Sequence, residues 1–204
     1  MQKIENIIFD LGGVLLDIDY NLTRIAFENL GVTHFDQMYS QVNADKLFQK
    51  LETGSISDKE FYQEINYSTG LRLSPKEIKD AWNAMLLSFR EKSLDYLDQI
   101  KNKYKVYLLS NTNQIHLNSF NEIYNRIKRE KTFEDHFDKV FYSFEIGLRK
   151  PETECYRWVL NNLQIRPDKT LFIDDSVNNI EGAKIVGLET IHLTAEKRIE
   201  DLGL

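Results

Sequence analysis

Acidic residues stand at the ends of apolar segments in this chain, where neutral turn residues are more usual. Asp10 ends the run "NIIFD", and the adjacent pair Asp174 and Asp175 ends "TLFIDD". Two adjacent carboxylates repel each other unless a cation lies near them. Carboxylate oxygens are ligands that Mg²⁺ prefers, and bound Mg²⁺ often bridges to a phosphate group. These acids therefore predict a magnesium site.

A hydroxyl, an amide and an ammonium group complete the candidate site. Ser110 and Asn111 follow the run "KVYLL", and Lys150 lies in "GLRKPE". A lysine and a hydroxyl are suited to binding phosphate oxygens. Each residue also has a simpler interpretation, because an aspartate often forms a turn or caps a helix and a lysine often lies in solvent. The four histidines are scattered and lie beside no cysteine pair, so zinc is not expected.

Five short segments predict the strands that position these groups. They are Asn6 to Asp10, Lys105 to Ser110, Lys139 to Ser143, Thr170 to Asp174 and Glu189 to Leu193. Nearly continuous apolar character is typical of parallel strands buried on both faces. Helical patterns separate the later segments, which predicts an α/β fold with a doubly wound, Rossmann-like parallel sheet. Ligands of such sheets bind beyond the carboxyl ends of the strands, where the candidate residues lie.

A long helical interval separates the first predicted strand from the second. The sequences "SDKE" (Ser57 to Glu60) and "SPKE" (Ser74 to Glu77) are both capping boxes that mark helix starts. The interval therefore predicts a helical cap over residues 18–90, inserted into a catalytic core made of residues 1–17 and 91–204. The loop "ETGSIS" between two cap helices is a candidate for reaching the active site, although a plain turn between helices is the more common role for such a sequence.

Composition limits the classes of partner. The chain has 204 residues and a net charge of −6, with no long basic stripe, so neither nucleic acid nor a membrane is an expected partner. No run approaches the roughly 18 apolar residues of a membrane span, and the N-terminus does not resemble a signal peptide. Cys155 is the only cysteine, which favours a reducing compartment and predicts a cytoplasmic protein. The sequence does not indicate an oligomeric state.

Four motifs in this chain resemble those of one known family. The segments "FDLGGVLLD", "LLSNTN", "GLRKPE" and "FIDDSVNNIEGA" look like the four motifs of the haloacid dehalogenase-like hydrolases, in the same order. The resemblance covers the whole predicted core and includes a helical cap after the first strand. Within that family the motif sequences look most similar to those of small sugar-phosphate phosphatases of the α-glucose-1-phosphate phosphatase kind. The phosphatase domain of epoxide hydrolases is also similar.

The resemblance implies a nucleophile and a metal site. Asp10 would attack phosphorus and form an aspartyl-phosphate that water then hydrolyses. Mg²⁺ would be held by Asp10, by the backbone carbonyl of Gly12 and by Asp175. Asp174 would bind the metal directly or through water. The implied activity is hydrolysis of a small phosphorylated metabolite, with a sugar phosphate as the leading candidate.

The resemblance also implies how the phosphate would be bound. Ser110 and Asn111 would hold the transferring phosphoryl oxygens, together with the backbone N–H groups of Leu11 and Gly12. Lys150 would offset the negative charge between the nucleophile and the phosphate. Phosphoryl transfer is catalysed mainly by positioning and by charge stabilisation, which agrees with these assignments.

Gly12 departs from the family pattern. Most family phosphatases carry an aspartate there, as a general acid that typically contributes about 10²–10⁴-fold to the rate. Three interpretations stay open. The leaving group could need little protonation, as with an anomeric sugar oxygen; Asp17 or Asp19 could replace the acid; or the protein could be a slow phosphatase or a non-catalytic phosphate binder.

Two other chemistries of the family fit the sequence less well. Dehalogenases also lack the second aspartate, but they use no Mg²⁺ and do not retain the paired acids seen here at Asp174 and Asp175. A phosphomutase needs the acid that Gly12 lacks for both of its transfers. The resemblance therefore favours a phosphatase.

Overall fold

A parallel sheet forms the centre of the structure, a computed structural model in which residues 3–33, 35 and 46–204 are described. The strands are β1 (Asn6–Phe9), β2 (Leu16–Ile18), β3 (Leu86–Phe89), β4 (Lys105–Ser110), β5 (Lys139–Tyr142), β6 (Thr170–Asp174) and β7 (Glu189–His192). Five of them pair in the order β5-β4-β1-β6-β7, and every pairing in this sheet is parallel. The predicted doubly wound α/β fold is confirmed.

Helices cover both faces of the sheet and also fill the interval between β2 and β3. They are α1 (Tyr20–Asn29), α2 (Lys46–Glu52), α3 (Asp58–Thr69), α4 (Pro75–Asn83), α5 (Glu91–Ile100), α6 (Gln114–Asn125), α7 (Ser143–Ile146), α8 (Thr153–Leu163) and α9 (Val177–Ile185). After β1 the chain adds β4 and β5 on one side of the sheet, and it then crosses to add β6 and β7 on the other. The order therefore reverses between β1 and β6, which places a ligand crevice at their carboxyl ends.

Alternate residues of the central strands pack into two different cores. On β1, Ile7 and Phe9 belong to one apolar cluster, whereas Ile8 belongs to the cluster on the opposite face. On β6, Ile173 and Phe172 divide in the same way. Because both faces are buried, these strands need apolar residues at nearly every position, which explains their continuous apolar runs.

The helices α1 to α4 share a third apolar core. Its largest members are aromatic, with Phe48 packed against Phe61 and Trp82 at ring-centroid distances of 5.7 Å and 5.0 Å. Both predicted capping boxes are present: the hydroxyls of Ser57 and Ser74 accept from the backbone N–H three residues later, and the glutamates there return the bond. No helix within the described ranges is both long and apolar enough to cross a bilayer.

A two-stranded antiparallel ribbon, β2 with β3, joins the α1 to α4 region to the rest of the chain. Sequence analysis predicted only helices here. The strands are three and four residues long, and the middle of β3 is exposed. Such short segments carry no periodic pattern that could identify them as strands.

The loop after α2 packs closely against α7. Gly54 has φ +65, and a Cβ there would lie 2.2 Å from the carbonyl oxygen of Phe144. A side chain at this position therefore faces both a strained backbone conformation and a clash with backbone that cannot easily move. This contact holds the end of α2 against the core.

We predict that Gly54→Ala destabilises the protein more than Gly70→Ala. Gly70 has φ +70, but a Cβ added there would have nothing within 4 Å, so both variants share the backbone strain and only Gly54→Ala adds the clash. Strain of this kind costs about 1–3 kcal/mol. Chemical denaturation should show the larger loss of unfolding free energy for Gly54→Ala, and equal losses would contradict the packing described here.

Candidate active site

Asp10 begins a tight turn at the carboxyl end of β1. Its backbone N–H donates to the carbonyl of Ile173 on β6 at 2.9 Å, which fixes the carboxylate between the two strand ends. The turn then folds back, with Gly13 N–H donating to the Leu16 carbonyl at 2.8 Å. Among the described residues, the backbone bonds of this turn do not use the N–H groups of Leu11 or Gly12. The turn therefore leaves both groups able to donate to a ligand.

The two adjacent glycines have different neighbours. Gly13 has φ +69, and a Cβ there would lie 2.2 Å from Oδ2 of Asp175, so this glycine permits the close approach of a carboxylate. At Gly12 a Cβ would lie 2.7 Å from Cδ1 of Ile18, which is the end of a flexible side chain. The room for a side chain at position 12 is therefore limited by the side chain of Ile18, the last residue of β2.

Lys150 is fully buried between two carboxylates. Its Nζ donates to Oδ1 of Asp10 at 2.6 Å and to Oδ2 of Asp174 at 2.7 Å. Asn111 holds the lysine backbone, because its Nδ2 donates to the Lys150 carbonyl at 2.8 Å and its Oδ1 accepts from the Lys150 N–H at 2.9 Å. The side chain of Asn111 thus contacts the loop that carries Lys150.

The paired acids at the end of β6 have different surroundings. Asp174 is completely buried, and it accepts from Lys150, from the N–H of Ser176 at 2.8 Å and from Nδ2 of Asn179 at 3.0 Å and 3.1 Å. Asp175 instead borders the pocket described below. Asp174 is therefore held by protein donors, while Asp175 is placed to meet a ligand.

The three carboxylates form one electrostatic unit. Single oxygen atoms of Asp10, Asp174 and Asp175 lie within 4.8 Å of one another. Burial raises the pKa of Asp10 to about 7, opposed by Lys150 and reinforced by the other two acids. Burial likewise raises the pKa of Asp175 to about 6, with the charge of Asp174 adding to it. Although burial disfavours its charge, Lys150 has a raised pKa because of its two carboxylate partners, so it stays protonated.

This arrangement fits a divalent cation with hard oxygen ligands. Three acids face one ammonium group, so the cluster carries excess negative charge in a buried place. A bound Mg²⁺ would offset that charge and lower the pKa values of the carboxyls. The three carboxylates offer the oxygen ligands that Mg²⁺ prefers.

A pocket of about 180 Å³ lies above the cluster. Its walls on the sheet side include most of the predicted site residues: Asp10, Leu11, Gly12, Ser110, Asn111, Lys150 and Asp175. Asp174 lies behind this wall, in contact with Lys150. The facing wall comes from the region of β2 to β3 and includes Ile18, Tyr20, Glu52, Met85 and Leu86.

The two candidate replacements for a general acid at position 12 lie elsewhere. Asp17 accepts from Nε of Arg90 at 2.7 Å, and Asp19 caps α1 by accepting from the N–H of Asn21 at 2.9 Å. Neither residue lines the pocket around Asp10.

Several polar residues of the pocket were not predicted as site residues, among them Tyr20, Glu52, His116 and Arg149. Glu52 is the first residue of the "ETGSIS" loop, and it forms an ion pair with Arg149 at 2.8 Å. Glu52 is also the last residue of α2, and Thr53 to Ser57 do not line this pocket, so the role of the loop itself stays a prediction. His116 is a single histidine on a helix, and no spacing pattern in the sequence distinguishes it.

Comparison with known proteins identifies a family and several relatives. Residues 4–187 match the family described as haloacid dehalogenase-like hydrolase. A D-ribitol-5-phosphate phosphatase from Bacteroides thetaiotaomicron is 34% identical over 187 residues, covering 92% of this chain and 90% of the relative. A sesquiterpene phosphatase from Aspergillus oryzae is 28% identical over 190 residues, with coverages of 92% and 88%.

A solved structure is similar over nearly the whole chain. It is a haloacid dehalogenase family enzyme from Bacteroides thetaiotaomicron, in complex with magnesium and inorganic phosphate. The TM-score is 0.88 at 34% identity, and the match covers 98% of each chain.

We predict that Asp175→Asn stabilises the metal-free protein at pH 8. The folded-state pKa of Asp175 lies above its ordinary value, so its contribution to stability is present below the unfolded-state pKa near 4 and is lost as pH rises through about 6. Above that pH the buried charge destabilises the fold, and the amide removes this cost of about 1 kcal/mol or more. Thermal melting from pH 4 to 8 should show a flatter profile for the variant.

Added Mg²⁺ should make the parent protein more stable than Asp175→Asn, because the metal stabilises the protein with the carboxylate more than the amide variant. Asp80→Asn, an exposed change on α4, should leave the Mg²⁺ response unaltered. A variant that is less stable than the parent at pH 8 without metal would contradict the electrostatic account.

Proposed function

The chain belongs to the haloacid dehalogenase-like hydrolases, and we propose that it is a Mg²⁺-dependent phosphatase whose substrate is a small sugar or polyol phosphate. The observation that carries this proposal is the buried ammonium of Lys150 between Asp10 and Asp174, with Asp175 beside them at the floor of the pocket. The relative of 34% identity, a D-ribitol-5-phosphate phosphatase, supports the substrate class.

Asp10 is the nucleophile in this proposal. One carboxylate oxygen attacks phosphorus, the bond from phosphorus to the ester oxygen breaks, and the leaving alkoxide takes a proton from water. Water then attacks phosphorus of the aspartyl-phosphate, which releases inorganic phosphate and restores the carboxylate. The reaction needs Asp10 as an anion, and Lys150 at 2.6 Å favours that form.

The phosphoryl group is proposed to lie against the turn after β1. The N–H groups of Leu11 and Gly12 and the hydroxyl of Ser110 would donate to its oxygens, and Lys150 would offset its charge next to Asp10. Asn111 is proposed to have two roles. Its side chain positions the backbone of Lys150, and it also lines the pocket, where it would contact the phosphoryl group.

Asp10, the carbonyl of Gly12 and Asp175 are proposed to hold Mg²⁺. Asp174 would contact the metal directly or through water. We propose the contact through water, because the oxygens of Asp174 already accept from Lys150, Ser176 and Asn179. When bound, Mg²⁺ supplies charge stabilisation to the phosphoryl oxygens.

Residues 18–90 are proposed to act as a cap over the phosphate site. Ile18, Glu52 and Met85 from this region line the wall opposite Asp10. An inserted cap of this kind limits the access of water and shapes the space for the alcohol part of the substrate.

Gly12 supports an alternative proposal, a non-catalytic phosphate-binding protein or a very slow phosphatase. Without a carboxyl at this position the leaving alcohol lacks the usual proton donor, and neither Asp17 nor Asp19 borders the pocket. The complete arrangement of Asp10, Lys150 and Asp175 favours the catalytic proposal.

We predict that the purified protein hydrolyses p-nitrophenyl phosphate in the presence of Mg²⁺. Asp10→Asn removes the nucleophilic oxygen and should abolish the activity, as should excess EDTA. Glu64→Gln, an exposed change on α3, is the control and should retain full activity. Release of p-nitrophenol gives the rate, and activity that persists in Asp10→Asn or in EDTA would overturn the mechanism. Binding of phosphate without any turnover would favour the non-catalytic alternative.

We also predict that kcat, measured at saturating substrate, rises as the leaving alcohol becomes more acidic. Aryl phosphates should be hydrolysed faster than anomeric sugar phosphates, and those faster than sugar 6-phosphates, because Gly12 supplies no acid. A double change, Gly12→Asp with Ile18→Ala to make room for the new side chain, should reduce the rate differences between these substrates, since a general acid is worth about 10²–10⁴-fold. A reversed or flat order in the parent protein would show that another group provides the proton.

A further inference from the structure

The ring of His116 presents an unpaired acceptor at the pocket. Its Nδ1 lies 2.8 Å from Oδ1 of Asn83, and because an amide oxygen only accepts, Nδ1 carries the proton. The other nitrogen, Nε2, is then a bare lone pair, buried and without a hydrogen-bond partner in the described part of the chain. Burial lowers the pKa of His116 to about 3, so the ring is neutral at physiological pH. Stacking on Trp82 at 4.7 Å fixes its orientation.

An ion pair between the buried Glu52 and the half-buried Arg149 lies at the same pocket. Nε of Arg149 donates to Oε2 of Glu52 at 3.0 Å, and one terminal nitrogen of Arg149 lies 2.8 Å from the same oxygen. The second oxygen of Glu52 takes no part in these two contacts, and the guanidinium has further N–H groups. Glu52 ends α2 while Arg149 precedes the catalytic lysine, so the pair connects the proposed cap to the core.

These groups match a hydroxyl and disfavour other substrate groups. A hydroxyl both donates and accepts, so it can bond to Glu52 and Arg149 together or donate to Nε2 of His116. Nε2 is already buried, so an apolar chain would leave it without a partner, whereas a hydroxyl would satisfy it. A second anionic group would meet an arginine that Glu52 already neutralises.

We propose that Glu52, Arg149 and His116 bind hydroxyl groups on the carbon chain of the substrate and so select polyol and sugar phosphates over esters of apolar alcohols. This inference rests on the proposed function, since it places the phosphate at Asp10 and the alcohol part of the ester beside these three residues. The three residues determine specificity and take no part in bond breaking. Sites built to hydrogen-bond a hydroxyl discriminate strongly against analogues that lack it.

Binding to an inactive background tests the proposal without turnover. Asp10→Asn protein with Mg²⁺ is titrated calorimetrically with ribitol 5-phosphate and with n-pentyl phosphate, which has the same chain length and no hydroxyls. The polyol ester should bind at least about tenfold more tightly, as one charge-assisted hydrogen bond predicts.

Two substitutions added to this background should remove the preference. His116→Phe keeps a ring that can stack on Trp82 but lacks Nε2. Glu52→Gln keeps an oxygen for Arg149 and puts a donor in place of the second acceptor. Each should weaken ribitol 5-phosphate binding about tenfold while changing n-pentyl phosphate binding by less than about threefold. Glu64→Gln should change neither affinity.

The outcomes separate a specificity role from a structural one. Inorganic phosphate affinity should be preserved in both variants, which shows that the phosphate site is intact. Equal affinities of the two esters in the parent background, or equal losses for both esters in the variants, would overturn the inference. Failure of the wild-type protein to hydrolyse any phosphate ester would overturn the proposed function, whereas the affinities decide the inference by themselves.

Discussion

The contact of one buried ammonium group with two carboxylates is the constraint on which the site depends. Lys150 lies between Asp10 and Asp174, which end two neighbouring strands, so the register of β1 with β6 sets the distance that the lysine must bridge. Buried charges are tolerated only when they are paired and hydrogen-bonded. Asn111 meets the geometric demand by holding the lysine backbone from both sides. Asp175 then adds a charge that the lysine does not balance, which is why the cluster suits a cation.

The two ends of the pocket have different physical characters. The end near Asp10 is made by strand termini and backbone amides, whose positions follow from the sheet itself. The opposite end is made by side chains from separate segments, including Glu52 and His116, whose partners Arg149 and Asn83 lie across the junction with the α1 to α4 region. The proposed phosphate chemistry and the proposed hydroxyl recognition therefore rest on different parts of the fold.

The sheet and the acidic cluster could be predicted from sequence, because strands buried on both faces need continuous apolar runs and the candidate groups directly follow them. The pocket residues outside the strand ends could not be predicted from sequence. Glu52 and Arg149 are far apart in the chain, and their pairing depends on how α2 packs against α7 at Gly54. His116 carries no local pattern, and its importance comes from burial and from Asn83. The ribbon of β2 and β3 was missed because both strands are too short to show a period.

The central claim is that Asp10 carries the phosphoryl group during turnover. Rapid acid quenching of the wild-type protein during hydrolysis of a phosphate ester with Mg²⁺, followed by mass spectrometry of its peptides, tests this claim most directly. The account predicts a phosphoryl adduct on Asp10 that is absent in the Asp10→Asn variant. A phosphoryl adduct on another side chain, or steady turnover while the Asp10 peptide stays unmodified, would contradict it.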